Sequence, residues 1–263
     1  RRANQLYQIY TNYIQSPDYD EEILDPKLMP ATLQSDKVET GFTIDPNEQE
    51  AFFVRKDSFY TRNSVNTIFT TFKSKGQWSD PKVASFSGKH SDGDPFISPD
   101  GQRLFFTSNR TSNEGGTKED RDIWFADKVG DTWSTPERLA GVNSDKSEYG
   151  PTVDKHGNLY FGSYREGGLG SGDIWMSKLQ DGKYQSPVNL GQTINTQGGE
   201  WGASIAPDGE LLIFEASGRP NNVTPDGDLY ISQKIDGEWK PIHFCEQSKY
   251  KSGKSTQASP IGL

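Results

Sequence analysis

Four segments of this chain can be laid under one another. They are "ETGFTIDPNEQEAFFVRKD" from Glu39, "DGDPFISPDGQRLFFTSNR" from Asp92, "EYGPTVDKHGNLYFGSYRE" from Glu148 and "EWGASIAPDGELLIFEASGR" from Glu200. Their starts lie 53, 56 and 52 residues apart. Each is followed by a second apolar run: "NTIFTTF", "DIWFADK", "DIWMSKL" and "DLYISQK". An aromatic residue and a proline come next at a turn, as Trp78 with Pro81, Trp133 with Pro136, Tyr184 with Pro187 and Trp239 with Pro241. Four strand-like runs in each period of roughly fifty residues predict an all-β chain, and within that class a β-propeller.

The local chemistry agrees with the period. In "SPDGQRLFFTSNR", Pro99 presets φ for a turn, Gly101 tolerates positive φ, and the apolar run that follows reads as a buried strand. "RLFFT", "NLYFG" and "ELLIF" are apolar on consecutive residues rather than alternate ones, as expected for strands covered on both faces. Composition favours strands over helices: apolar residues reach only 31%, but aromatics make up 12%, with 27 Gly and 15 Pro.

The expected architecture is five four-stranded blades in a single domain over residues 1–263. Four blades are complete within residues 39–244, with repeats starting near 39, 92, 148 and 200. "QASPIGL" at 257–263 matches the start of a fifth, while "QLYQIYTNYI" and "PKLMPATLQSDK" resemble third and fourth strands. Residues 1–38 and 257–263 are therefore expected to share the last blade, which removes exposed sheet edges. The alternative is a chain that has lost its final strands.

Several functions are disfavoured. No apolar run approaches membrane-spanning length. A formal charge of −9 without a basic run makes nucleic acid and anionic membranes poor partners, and better suits a cationic group, a metal ion or a neutral sugar. The single Cys245 excludes an internal disulfide framework and a cysteine-rich zinc site. "SDGDP" and "PDGDL" contain Asp-x-Asp but lack the later ligands of a calcium loop. No resident cofactor or metal site is expected, although a cation such as calcium in the funnel would suit the charge. The chain starts at Arg1 rather than Met, so a processed or trimmed N-terminus is expected, and any targeting signal would not be visible in this sequence.

In a propeller the first strand of each blade is innermost, so Glu39, Asp92, Glu148 and Glu200 are expected at the mouth of a central funnel. Arg55, Arg110, Arg165 and Arg219 end the second strands on the same face. The candidate ligand-binding set is Glu39, Asp92, Asp94, Glu148, Tyr149, Glu200, Trp201, Arg110 and Arg165. A structural reading stands beside it. The arginines could pair with Asp122, Asp173 and Asp228 at the next strand, and the acids could tie blade to blade through backbone N–H groups. Tyr149 and Trp201 could be sugar platforms or packing residues. Trp78, Trp133, Tyr184 and Trp239 read as packing. His90 lies on the funnel side and His156 on the far face, neither beside a nucleophile. "GGLGSGD" at 167–173 reads as a flexible loop at the rim.

"SPDGQRLFFTSNR" with its following "DIW", "KHGNLYFGSYREGGLGSGDIW" and "APDGELLIFEASGR" before "DGDLY" resemble the TolB-type β-propeller repeat over about residues 39–244. The resemblance implies a periplasmic or secreted bacterial protein. No Gly-x-Ser-x-Gly elbow is present, so the peptidases that carry such propellers are not implied. The leading expectation is a monomeric binding module that takes a protein segment or a glycan at an acidic funnel, without nucleic acid or membrane insertion. The runner-up is a glycoside-processing enzyme using Asp94, Glu148 and Glu200, whose carboxylates would then stand ~5–9.5 Å apart. A purely structural module is the third.

Overall fold

Tight turns fix where the strands begin. Asp45–Glu48, Ser98–Gly101, Asp154–Gly157 and Ala206–Gly209 each close with the fourth N–H donating to the first carbonyl, at 2.9, 2.8, 3.0 and 2.8 Å. The fourth residue is left-handed in all four, with φ of 58°, 73°, 78° and 78°. Three blades use glycine there and the first uses Glu48. The computed structural model in which these turns are seen describes residues 30–56, 65–111, 117–220, 222 and 227–244.

Each turn joins the two inner strands of an antiparallel blade. Blade 1 holds β1 (Val38–Ile44), β2 (Glu50–Lys56), β3 (Thr67–Ser74), β4 (Gln77–Trp78) and β5 (Lys82–Val83). Blade 2 holds β6 (Asp92–Ile97), β7 (Arg103–Arg110), β8 (Thr117–Val129), β9 (Thr132–Trp133) and β10 (Glu137–Arg138). Blade 3 holds β11 (Glu148–Val153), β12 (Leu159–Ser163), β13 (Asp173–Ser177), the β14 (Leu179–Gln180) and β15 (Lys183–Tyr184) hairpin, and β16 (Val188–Asn189). Blade 4 holds β17 (Gly199–Ile205), β18 (Leu211–Ser217), β19 (Asp228–Ile235) and β20 (Glu238–Phe244). The innermost strands β1, β6, β11 and β17 stand beside one another in sequence order.

The described residues thus contain four blades. Of the segments expected to share a fifth, residues 1–29 and 257–263 lie outside the described residues. Ala31–Leu33, expected within a strand, forms a single 3-10 turn that buries Leu33. It occupies the approach to β1, where its carbonyls can be reached from β2.

The core lies between blades, which accounts for the consecutive apolar residues. Phe106 packs with Phe52, Val54 and Ile68 of blade 1, whereas its neighbour Phe105 packs with Leu159, Phe161 and Trp175 of blade 3. Tyr160 then turns to Leu212 and Phe214 of blade 4. Successive side chains point to opposite faces of a strand, and here each face meets another sheet. The outer aromatics seal the same seams. Trp133 of blade 2 meets Phe52 edge-on with centroids 5.7 Å apart, and Trp239 of blade 4 meets Tyr160 at 6.5 Å. Trp133 Nε1 and Lys128 Nζ both donate to the buried Glu50 of blade 1, at 3.0 and 2.8 Å.

Candidate functional site

The acids and arginines meet within each blade. Asp92 lies opposite Ser108 across the strand pair, and Arg110, two residues on, shares that face. Arg110 Nη2 donates to Asp92 Oδ1 at 2.7 Å and to the Phe86 carbonyl at 3.1 Å. Ser108 and Ser87 donate to the same carboxylate at 2.6 and 2.7 Å. The arrangement recurs: Arg165 Nη2 donates to Glu148 at 2.9 Å and to the Val142 carbonyl at 2.7 Å. Arg219 donates to Glu200 at 3.1 Å and to the Ile194 carbonyl. Arg55 reaches Glu39 and the Leu33 carbonyl at 3.0 and 3.1 Å. Each guanidinium also lies over aromatic rings, as Arg110 does over Phe106 and Trp124.

These clasps are buried. The side chains of Asp92, Glu148 and Glu200 have 0% exposure, and Glu39 has 20%. Burial pushes the Glu148 carboxyl above the usual carboxylate range, against the pull of Ser144 and Arg165. It likewise lowers Arg165. The expected opening of all four acids into the funnel is therefore not realised at three of them: strand alternation turns those carboxylates toward the blade seams. The third-strand aspartates have other partners than the second-strand arginines considered in the sequence; Asp173 and Asp228 begin their strands, whereas Asp122 lies within β8. Asp122 takes Arg138 at 2.6 Å, Asp173 takes Asn189 at 2.6 Å, and Asp228 takes Asn222 at 2.9 Å.

The residues just after the acids behave differently. Every innermost strand has a bulge there, between Thr40 and Thr43, Gly93 and Phe96, Tyr149 and Thr152, and Trp201 and Ser204. Its left-handed residue is Gly41, Asp94, Gly150 or Gly202, with φ of 61°, 49°, 57° and 62°. Asp94 is exposed, and its carboxylate accepts from Thr107 Oγ1 at 3.0 Å and from the Gly150 N–H of the next blade at 3.3 Å. Tyr149 lies flat over Gly162, where a Cβ would fall 2.1 Å from its ring, and donates to the Glu200 carbonyl at 3.4 Å. Its ring centroid is 5.2 Å from that of Tyr164, which is 57% exposed. Trp201 is half-buried over Gly199.

The glycine-rich segment is docked rather than free. Gly172 pairs with Gly199, Ser171 N–H donates to the Gly198 carbonyl, and Glu200 N–H donates to the Gly172 carbonyl, the last two at 2.8 Å. A Cβ on Gly170 would sit 2.0 Å from the Gly198 oxygen, so the glycine serves close approach of two backbones. On the far face, a cleft of about 270 Å³ between blades 3 and 4 is lined by Asp154, exposed His156, Tyr160, Lys178, Asp208 and Lys234 among others. His90 is half-buried, and its Nδ1 has no hydrogen-bond partner among the described residues. Among the described residues no three His, Cys, Asp or Glu side chains converge as a metal would require.

Two polar residues at the mouth were missed in the sequence: Asn66 and Arg121. The available signal was departure from the repeat. Asn66 and Arg121 stand immediately before Thr67 and Asp122, where blades 3 and 4 have Gly172 and Gly227 before Asp173 and Asp228.

No protein-family model and no curated protein matches the sequence. Solved structures do. TolB from Acinetobacter baumannii is 19% identical with a TM-score of 0.56, over 83% of this chain and 46% of its own. A puromycin-hydrolyzing peptidase from Mycobacterium tuberculosis is 13% identical with a TM-score of 0.53, over 85% of this chain and 32% of its own. This chain thus corresponds to less than half the length of either. Likeness at such identities speaks for the architecture alone. In fold, the chain is a β-propeller similar to those of these proteins.

Proposed function

We propose that the chain is a secreted or periplasmic binding module that takes a protein segment or a glycan at the channel mouth, with Asp94, Tyr149 and Trp201 as ligand contacts. The observation that carries this reading is the division of labour after the four acids. The acids and arginines are consumed in buried clasps, whereas the bulge beside them holds an exposed, left-handed Asp94, and the rim holds the exposed Tyr164 against Tyr149. Left-handed backbone at a non-glycine residue is a cost of order 1 kcal/mol that tends to collect at functional positions. In this reading Glu39, Asp92, Glu148, Glu200, Arg110 and Arg165 act as the frame. The glycoside-processing alternative asks Glu148 and Glu200 to reach solvent, and their side chains have no exposed surface.

Paired glycan and peptide arrays test the proposal, probed with the wild-type protein and with a Tyr164→Ala/Trp201→Ala variant of unchanged melting temperature. Binding that is present in the first and lost in the second supports it. Binding that survives these changes at full strength would move the site away from the mouth.

A further inference from the structure

Blades 1, 2 and 4 each lay a lysine over a tryptophan in their outer strands. Lys73 covers Trp78, Lys128 covers Trp133 and Lys234 covers Trp239, with the ammonium 5.7, 5.2 and 5.1 Å from the ring centroid. Two of the three lysines also have an acid: Lys73 lies 3.7 Å from Glu48, and Lys128 donates to Glu50 at 2.8 Å. Lys234 meets no carboxylate among the described residues.

The seam between blades 1 and 2 shows what the seam between blades 3 and 4 lacks. Phe52 stands opposite Thr43 and Tyr160 opposite Thr152, so the two rings hold the same place in their blades. Trp133 meets Phe52 at 82°, and Trp239 meets Tyr160 at 85°. Two residues before each ring stand Glu50 and Asn158, whose carbonyls accept from the Asp45 and Asp154 N–H groups at 2.9 and 3.1 Å. Residues two apart on a strand share a face, which carries the Glu50 carboxylate to Lys128 and to the Trp133 indole N–H, the latter at 3.0 Å. Asn158 is spent elsewhere: its amide donates to Asp154 at 2.8 Å, and its oxygen accepts from the Leu179 N–H at 3.2 Å. The Trp239 indole N–H has no hydrogen-bond partner among the described residues. Asn158, Tyr160 and Lys234, the residues that would surround a carboxylate equivalent to that of Glu50, line the far-face cleft. Tyr160 is only 2% exposed, and its hydroxyl, which Phe52 lacks, makes no hydrogen bond among the described residues. Burial and the neighbouring Asp154 keep the proton on that hydroxyl, so it is a donor.

We propose that the far-face cleft between blades 3 and 4 binds a small aliphatic monocarboxylate, held by Lys234, the Trp239 indole N–H and the Tyr160 hydroxyl in the place that Glu50 fills between blades 1 and 2. This second site lies on the face opposite the mouth and does not depend on the reading of the mouth. The side chains of Tyr160 and Met176 offer a short aliphatic stem an apolar wall. The acids of the cleft decide against a second negative charge. Asp154 already accepts from the N–H groups of His156 and Asn158 and from the Asn158 amide, at 2.8, 3.0 and 2.8 Å. Asp208 accepts from the Glu210 N–H at 3.0 Å, and Glu210 is exposed. A dicarboxylate or a phosphate would bring further charge toward these three, so a monocarboxylate is the better occupant.

Isothermal titration calorimetry with sodium butyrate, butyramide, succinate and inorganic phosphate tests the site. Butyrate is expected to bind in the millimolar range or tighter, and butyramide about tenfold more weakly or worse, since the charge-assisted contacts are lost. Tyr160→Phe installs the ring that blade 1 carries and removes a hydroxyl that holds no partner. It should weaken butyrate about fivefold with an unchanged melting temperature, and Lys234→Met should weaken it about tenfold or more. Asn158→Glu supplies the acid from the chain itself and should abolish butyrate binding. The indole N–H resonance of Trp239, identified by its loss in Trp239→Phe, should shift as butyrate is added. Equal binding of butyrate and butyramide would overturn the proposal, as would full affinity in Tyr160→Phe and Lys234→Met, full affinity in Asn158→Glu, or no heat from butyrate at about 10 mM. Tighter binding of succinate or phosphate than of butyrate would overturn the monocarboxylate assignment.

Discussion

Removing Arg110 should unfold the protein far more readily than removing an exposed lysine of the same charge. In the Arg110→Ala variant, Asp92 keeps its hydroxyl donors from Ser87 and Ser108 but loses the Arg110 guanidinium. The carboxylate has 0% exposure, and the arginine side chain itself only 10%. Truncating one partner of a buried pair costs ~3–5 kcal/mol, because the other charge stays in a poorly solvated place. The Phe86 carbonyl also loses its donor, and Phe106 and Trp124 lose a covering cation. The control is Lys146→Ala, whose pair with Asp145 is 46% and 81% exposed and therefore belongs with pairs worth ~0–1 kcal/mol. At ~2–4 °C per kcal/mol for a chain of this size, the Arg110 variant should melt on the order of 10 °C lower. Differential scanning calorimetry, with urea unfolding as a second measure, provides the comparison. Arg55→Ala should fall between the two, since Arg55 and Glu39 are 17% and 20% exposed. If Arg110→Ala melts no lower than Lys146→Ala, the clasps are ornament and the burial argument fails.

Three further outcomes are expected. Gly202→Ala forces a left-handed alanine at φ 62° whose methyl meets only an ordinary contact, Glu215 Cβ at 3.9 Å, so urea unfolding should show a loss of ~1–2 kcal/mol from backbone strain alone. Gly170→Ala should push residues 167–172 off blade 4, since its methyl would collide with the Gly198 and Thr196 oxygens, and the Glu200 amide should then exchange with deuterium about tenfold faster or more. Burial raises the Glu148 carboxyl, so the folded state takes up its proton at a higher pH than the unfolded chain does, and the stability from this group falls as pH rises through that window. Wild-type stability relative to Glu148→Gln should therefore be greater near about pH 5 than near pH 7, and an opposite slope in urea unfolding would contradict the burial.

How much of this was legible depended on whether one strand's period decided the matter. Phe105 and Phe106 announced a strand covered on both sides because adjacent side chains must face opposite ways, and each found its own seam. The same rule, applied across the pair, makes the clasp intelligible: Ser108 and Arg110 share a face, and Asp92 sits opposite Ser108. What it could not supply was depth. Whether that face met solvent or a neighbouring sheet depends on how blades stack, and three carboxylates expected in the funnel were consequently found buried. The segment from Gly167 to Asp173 reads as flexible by composition, yet its glycines permit backbone contact with Gly198 and Gly199, a requirement invisible without the partner strand. Asn66 and Arg121 were overlooked for the opposite reason: they carry meaning only as exceptions, and attention to the repeat hides exceptions.

The clasps also bear on the order in which the chain assembles. Each arginine and the carbonyl it holds are separated by 22, 24, 23 or 25 residues, and each arginine and its acid by 16 to 19. The seams span more: Tyr149 reaches Glu200 across 51 residues, and Trp133 reaches Glu50 across 83. Closing a longer loop costs more entropy before any contact repays it, so short separations form first. A strand pair can thus acquire its clasp, and with it a fixed register, before a neighbouring sheet arrives to cover either face. Assembly then becomes the docking of sheets whose edges are already aligned, and a wrong partner is refused by shape before it is refused by energy.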